Sequence, residues 1–134
     1  RAKPHIIKPN VRELERLMAR PLKDIGAIVD AAVDLHERGI DVVLVSMGAK
    51  GVLLVTKDER WMAHPPRVTV VNTIGAGDSA VAGFVHGLVL GESCKEAVKR
   101  AAATGTAATL INDVSITQES VDAILAQVKV RRAI

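Results

Sequence analysis

Residues Val68 to Phe84, VTVVNTIGAGDSAVAGF, hold the densest set of groups able to do chemistry. Val68 to Val71 is a short run with strand character. Gly75, Ala76 and Gly77 follow, small enough to let a ligand approach the backbone. Asp78 stands where a helical pattern begins. A strand, a glycine turn and a helix start aim several backbone N–H groups at one place, which suits an anion. A carboxylate in that first helical turn suits the helix dipole and can also take a proton. The expected chemistry is a held phosphate with a proton removed beside it.

Two more loops follow strand-like stretches. One is Lys8-Pro9-Asn10-Val11-Arg12-Glu13; the other is Ser46-Met47-Gly48-Ala49-Lys50-Gly51. In an open α/β sheet, ligands bind beyond the carboxyl ends of the strands. All three loops are therefore expected to face one crevice. Each has a plain structural reading as well. Asn10 and Glu13 have the spacing of a capping pair, and on the residues alone that reading carries most weight. Ser46 can simply end a strand, Gly48 and Gly51 can be turn glycines, and Asp78 can be a helix-start residue.

Competing patterns fare worse. Gly75-Ala76-Gly77-x-x-Ala80 fits the loose dinucleotide fingerprint, but a dehydrogenase needs a second strand ending in an acid about 20 residues on. Here a helix runs to Leu90 and Ser93 opens another. No Gly-Lys-Ser/Thr follows either glycine loop, so the P-loop pattern fails. His36, His64 and His86 show no metal spacing and are read as surface or core residues. Mg²⁺ would be held mostly by water and phosphate.

The positioning elements follow from periodicity. His5 to Lys8 reads as a strand stopped by Pro9. Leu14, Leu17 and Met18 give the next helix one face. Asp24 caps a second helix carrying Ile25, Ile28, Val29, Ala32, Val33 and Leu35 to a stop at Gly39. Asp41–Ser46 and Gly51–Thr56 read as strands, with Lys57-Asp58-Glu59 at a hairpin tip before Arg60–Ala63. The site helix spans Asp78 to Leu90, with Gly83 and Gly87 leaving a flat stripe for a close neighbour. Ser93 and Glu96 offer a second capping box to a helix lined by Ala97, Ala101 and Gly105. Thr117 caps a last helix with Val121, Ile124, Leu125 and Val128 on its face. Strands alternate with helices around one antiparallel excursion, which is an α/β layer architecture.

The 134 residues suit one domain, and 49% are hydrophobic. Trp61 and Phe84 are the whole aromatic complement, so the core must be aliphatic and base stacking on single-stranded nucleic acid is disfavoured. A net charge of +3 without a dense basic run indicates solubility and an anionic ligand, with no nucleic-acid or membrane partner. Arg131–Arg132 is too short for a nucleic-acid patch. Cys94 is alone, so no internal disulfide can form and a reducing, cytoplasmic setting is expected. The start at Arg1, almost directly into a strand, suggests a fragment lacking an N-terminal part.

Lys8-Pro-Asn-x-x-Glu13, Ser46-x-Gly-x-x-Gly51 and Thr73-x-Gly-Ala-Gly-Asp78, in this order, resemble the C-terminal half of ribokinase-like (PfkB) carbohydrate kinases. Val71-Asn72-Thr73 and Val114-Ser-Ile-Thr117 are similar to the branch acting on phosphorylated ketohexoses. The resemblance implies a three-layer α/β/α sandwich, of which this chain is the C-terminal portion, and phosphoryl transfer from ATP with Mg²⁺. It implies Asp78 as general base, and Gly75, Ala76 and Gly77 as the anion hole. It implies Ser46, Met47, Gly48, Ala49, Lys50 and Gly51 on the ATP phosphates, with Lys8 reaching them too. Asn10 and Glu13 would act on Mg²⁺ and phosphate, against the capping reading. Val70, Ala102 and Thr106 would lie along adenine and ribose, and Asn72 and Ile74 would offer oxygens to K⁺. Asn72 stands where the family usually has Asp. The sugar-binding residues, and the lid that builds a homodimer, belong to an N-terminal half not present here. The alternative is a non-catalytic ATP-binding module; retention of Asp78 favours the kinase, because binding alone needs no acid beside a phosphate.

Overall fold

Two apolar faces alternate along the central strands and set the architecture. The computed structural model describes residues 6–68, 75–110 and 118–133. Five strands form one sheet in the order β1 (Ile6–Ile7), β2 (Val42–Ser46), β3 (Val52–Val55), β4 (Arg60–His64) and β5 (Lys129–Arg132). β1 and β2 run parallel; each later pairing is antiparallel. Successive side chains of a strand point to opposite faces. Leu44, Val52, Leu54 and Ala63 accordingly meet the helices α3 (Ala76–Val89), α4 (Cys94–Ala108) and α5 (Gln118–Leu125) on one face. Val43, Val45, Leu53, Val55 and Met62 meet α1 (Val11–Met18) and α2 (Ile25–Glu37) on the other. Both faces are covered, which is why β2 and β3 read as unbroken apolar runs. The result is the expected three-layer α/β/α sandwich.

Local signals set the helix ends. Asp24 Oδ1 accepts from Ala27 N at 2.8 Å and starts α2, which stops before Gly39 at φ +108°. The crossover from β1 to the parallel β2 runs through α1 and α2, as parallel pairing requires. α3 begins at Ala76, two residues ahead of the expected start, with Gly75 as its N-cap.

The glycine stripe brings α3 and α4 into backbone contact. A Cβ at Gly83 would stand 2.9 Å from the Arg100 carbonyl oxygen. On the opposing helix, a Cβ at Gly105 would stand 3.2 Å from the Ala76 carbonyl oxygen. Phe84 fills the space between these helices and the sheet and is wholly buried.

Several expectations need correction. Periodicity marks no strand after the last helix, yet β5 pairs with β4 along four residues, so the sheet has more antiparallel pairing than one excursion provides. Leu17 does not share the buried face of Leu14 and Met18; it is 55% exposed. Ser93 Oγ accepts from Glu96 N, and among the described bonds the reciprocal half of that box is not formed. The strand read over 68–71 and the cap at Thr117 fall wholly or largely outside the described residues.

Candidate active site

The three loops converge at Lys8. Pairing brings the first two together: Ser46 N donates to the Pro9 carbonyl at 3.1 Å, and Asn10 bridges Ser46 in parallel register. Lys8 Nζ then donates to Ser46 Oγ at 3.1 Å. The same Nζ lies against the third loop, since a Cβ at Gly77 would stand 2.6 Å from it. One flexible cationic side chain thus bridges three segments at the carboxyl ends of β1 and β2. Glycine at position 77 is what admits it.

In the second loop, Gly48–Lys50 forms a single 3₁₀ turn. Met47 N bonds the Gly51 carbonyl at 2.8 Å, and Gly51 N bonds the Gly48 carbonyl at 3.1 Å. The N–H groups of Gly48 and Ala49 donate in none of the described backbone bonds. Gly48 sits at φ +58° with open space around it. Gly51, at φ +113°, is pressed against β4: a Cβ there would overlap the Ala63 carbonyl oxygen.

In the third loop, Gly75 at φ +82° turns the chain into α3. A helix leaves its first N–H groups without internal partners, and Gly75 has no side chain to cap them. Those of Ala76, Gly77 and Asp78 therefore form a cluster of donors at the positive end of the dipole. Asp78 is exposed in this first turn.

The first loop carries out its structural role in full. Asn10 Oδ1 accepts from Glu13 N at 2.8 Å, and Glu13 Oε1 accepts from Asn10 N at 2.9 Å. This capping box engages one carboxylate oxygen of Glu13. Oε2 and the Asn10 amide nitrogen are not part of it. Cap and ligand-binding roles therefore draw on different atoms. A cleft of about 490 Å³ opens beside this loop, lined by Asn10, Arg12, Lys23, Ser46, Gly48 and Lys50 among others. It lies on the α1–α2 side, and Gly75–Asp78 take no part in its lining.

Two expected contacts on α4 differ in placement. Ala102 is buried in the core at 2% exposure. Thr106 is half-buried and follows Gly105, the point where α4 meets the first turn of α3. Val70, Asn72 and Ile74 lie outside the described residues. Arg12, within the first loop, and Lys23, beyond it, also line the cleft, a placement that no local pattern marks.

Arg100 binds Glu92 through Nε at 3.0 Å and a second nitrogen at 2.8 Å, which holds the Glu92 carboxyl below its ordinary range. Burial, reinforced by Glu59, pushes the Cys94 thiol up, so it is a poor nucleophile. Among the described residues no group of three His, Cys, Asp or Glu could hold a metal, and no helix is long and apolar enough to cross a membrane.

Known proteins resemble this chain in sequence and in fold. The family model described as pfkB family carbohydrate kinase matches residues 1–119. The 1-phosphofructokinase of Escherichia coli K12 is 42% identical over 117 residues, covering 87% of this chain and 38% of that protein. The crystal structure of Escherichia coli phosphofructokinase-2 in complex with substrates and products superposes with a TM-score of 0.86 at 32% identity. That match covers 92% of this chain and 40% of the other. Arabidopsis thaliana ribokinase complexed with ribose and ATP matches with a TM-score of 0.81 at 29% identity, covering 92% and 44%. The chain thus spans about two fifths of the length of the relatives it matches.

Proposed function

The chain belongs to the pfkB family of carbohydrate kinases, and from that premise we propose that it supplies the base and the nucleotide loops of an ATP-dependent sugar-phosphate kinase. The observation that carries the reading is Lys8 Nζ, held between Ser46 Oγ and Gly77. It gives one cation access to both phosphate-type loops, as a polyphosphate spanning them requires.

In this reading Asp78 takes the proton from a sugar hydroxyl, whose oxygen attacks the γ-phosphorus of ATP as the bond from that phosphorus to the β–γ bridging oxygen breaks and ADP leaves. The N–H groups at Gly75, Ala76 and Gly77 receive the charge on the transferred phosphoryl. Phosphoryl transfer asks mainly for such positioning and electrostatic support. Ser46 and the backbone of Met47–Gly51 hold the remaining phosphates. Gly48 and Ala49 have donors to offer, and the open space at Gly48 admits the ligand. Thr106 lies along the nucleoside, joined by Val70 and by the backbone of Ala102. Mg²⁺ neutralises phosphate charge when bound. Glu13 Oε2 and the Asn10 side chain suit it through water, being hard or water-ordering groups beside the phosphate loop. Asn72 and Ile74 are assigned to K⁺.

The proposed reaction converts fructose 1-phosphate to fructose 1,6-bisphosphate, supported by relatives that bear the 1-phosphofructokinase name. Fructose 6-phosphate and tagatose 6-phosphate are the competing acceptors. The complete protein is proposed to be a cytoplasmic homodimer. The test is ATP turnover by the complete protein with each sugar phosphate, repeated for Asp78→Asn. The variant should lose at least about 10²–10⁴ in kcat with ATP affinity nearly unchanged. Normal turnover by the variant removes Asp78 from the base role. ATP binding without turnover on any sugar phosphate favours a binding module or another acceptor.

A further inference from the structure

We propose that His64 is a positioning residue that fixes the Met47–Gly51 loop, donating to the Lys50 carbonyl while Arg131 holds its other ring nitrogen. His64 Nδ1 lies 2.9 Å from the Lys50 carbonyl oxygen. Arg131 Nε donates to His64 Nε2 at 3.0 Å. A carbonyl oxygen can only accept and a guanidinium can only donate. A single neutral tautomer, protonated at Nδ1 and bare at Nε2, satisfies both neighbours at once.

The three groups come from distant parts of the chain. Lys50 ends the 3₁₀ turn, His64 ends β4, and Arg131 lies in β5. His64 pairs with Lys129 across the sheet, which sets Arg131 diagonally opposite on the same face. β5 is thus what delivers the guanidinium. The neighbouring contact is between Gly51 and the Ala63 carbonyl. Two successive residues at the end of β4 therefore grip two successive residues of the loop, one by packing and one by a hydrogen bond.

The gripped group decides the loop's shape. The Lys50 carbonyl and the Gly51 N–H share one planar peptide unit. That N–H closes the turn onto the Gly48 carbonyl at 3.1 Å. Fixing the carbonyl sets the peptide plane, and the plane sets the turn in which Gly48 and Ala49 N–H donate to none of the described backbone acceptors. The attachment stands on geometry alone. Its value for nucleotide affinity rests on the reading that this loop receives the ATP phosphates.

The experiment compares His64→Leu, His64→Asn and Arg131→Met in the complete protein. Two readouts are taken: amide hydrogen exchange at Lys50 and Gly51, and the dissociation constant for Mg·ATP. Exchange at Val43 and Leu54 serves as the folding control. A lost hydrogen bond of ordinary strength predicts exchange faster by on the order of tenfold in His64→Leu, with a parallel rise in the dissociation constant. The Asn side chain can place an N–H near the Nδ1 position, so His64→Asn should stay within about threefold of wild type. Arg131→Met should fall between, and it carries the test if His64→Leu does not fold. Unchanged loop exchange in both His64→Leu and Arg131→Met overturns the attachment. So does loosening in His64→Asn equal to that in His64→Leu. Loosened exchange with wild-type ATP affinity overturns the positioning role. Absence of ATP binding by the wild type removes the nucleotide reading, while the exchange series still decides the attachment.

Discussion

Replacing Gly51 by alanine is expected to destabilise the protein by about 2–6 kcal/mol, from two separable sources. The backbone there is at φ +113°, ψ −148°, a region that residues with a Cβ avoid, and the strain is on the order of 1–3 kcal/mol. The new Cβ would also overlap the Ala63 carbonyl oxygen and stand 2.9 Å from its carbonyl carbon. That neighbour is backbone in a strand paired on both sides. Relief therefore means moving the end of β4, and overpacking of this kind costs about 1–3 kcal/mol. Against a typical stability of about 5–15 kcal/mol, the variant should unfold at markedly lower urea. Trp61, the single tryptophan, lies in β4 and reports the transition by fluorescence. Gly48→Ala is the control. Position 48 also has positive φ, at +58°, but it faces open space, so strain alone should cost about 1–2 kcal/mol. Equal losses for the two variants would show that Gly51 is not wedged against β4.

Phe84→Ala should cost about 3–5 kcal/mol in the same assay, because the ring is wholly buried within the core cluster and its removal leaves a cavity. Gly48→Val should weaken ATP binding by obstructing backbone approach; calorimetric titration showing wild-type affinity would place the nucleotide elsewhere. The Glu92 carboxyl has its pKa depressed by Arg100. Its contribution is present above the unfolded carboxyl range and is lost as pH falls through the depressed value. Glu92→Gln should thus be less stable than wild type by about 1 kcal/mol at neutral pH, with the gap closing in acid. A gap that does not narrow as the pH is lowered would mean the loss is packing, not charge.

Much of the fold was legible because local chemistry and tertiary demand agree. Asp24 and Gly39 bound α2, the apolar runs of β2 and β3 are covered on both faces, and Gly83 lies where α4 presses in. The second and third loops were legible by glycine content, and all three by their place after strand-like stretches. Leu17 was misread because helical spacing marks an apolar stripe without telling which member lies at its margin. β5 was missed because Lys129–Arg132 is short and mostly exposed, and its register comes from β4 rather than from its own pattern. His64 was set aside for the same reason. Its partners are Lys50, 14 residues away, and Arg131, 67 residues away, separations no local motif encodes.

The contact between α3 and α4 has a mechanical consequence. Where Gly83 and Gly105 meet the opposing helix, only the short side chains of Thr104 and Ala80 stand beside the facing main chain, which leaves little compressible material to absorb sliding. Ridge and groove are built from main chain and short side chains, so the two cylinders move as one stiff lever. A displacement of α4 at Thr106, next to Gly105, must be carried into the first turn of α3, where Asp78 sits. The helix proposed to lie along the nucleoside and the turn proposed to hold the base are therefore geared together by close packing at Gly83 and Gly105.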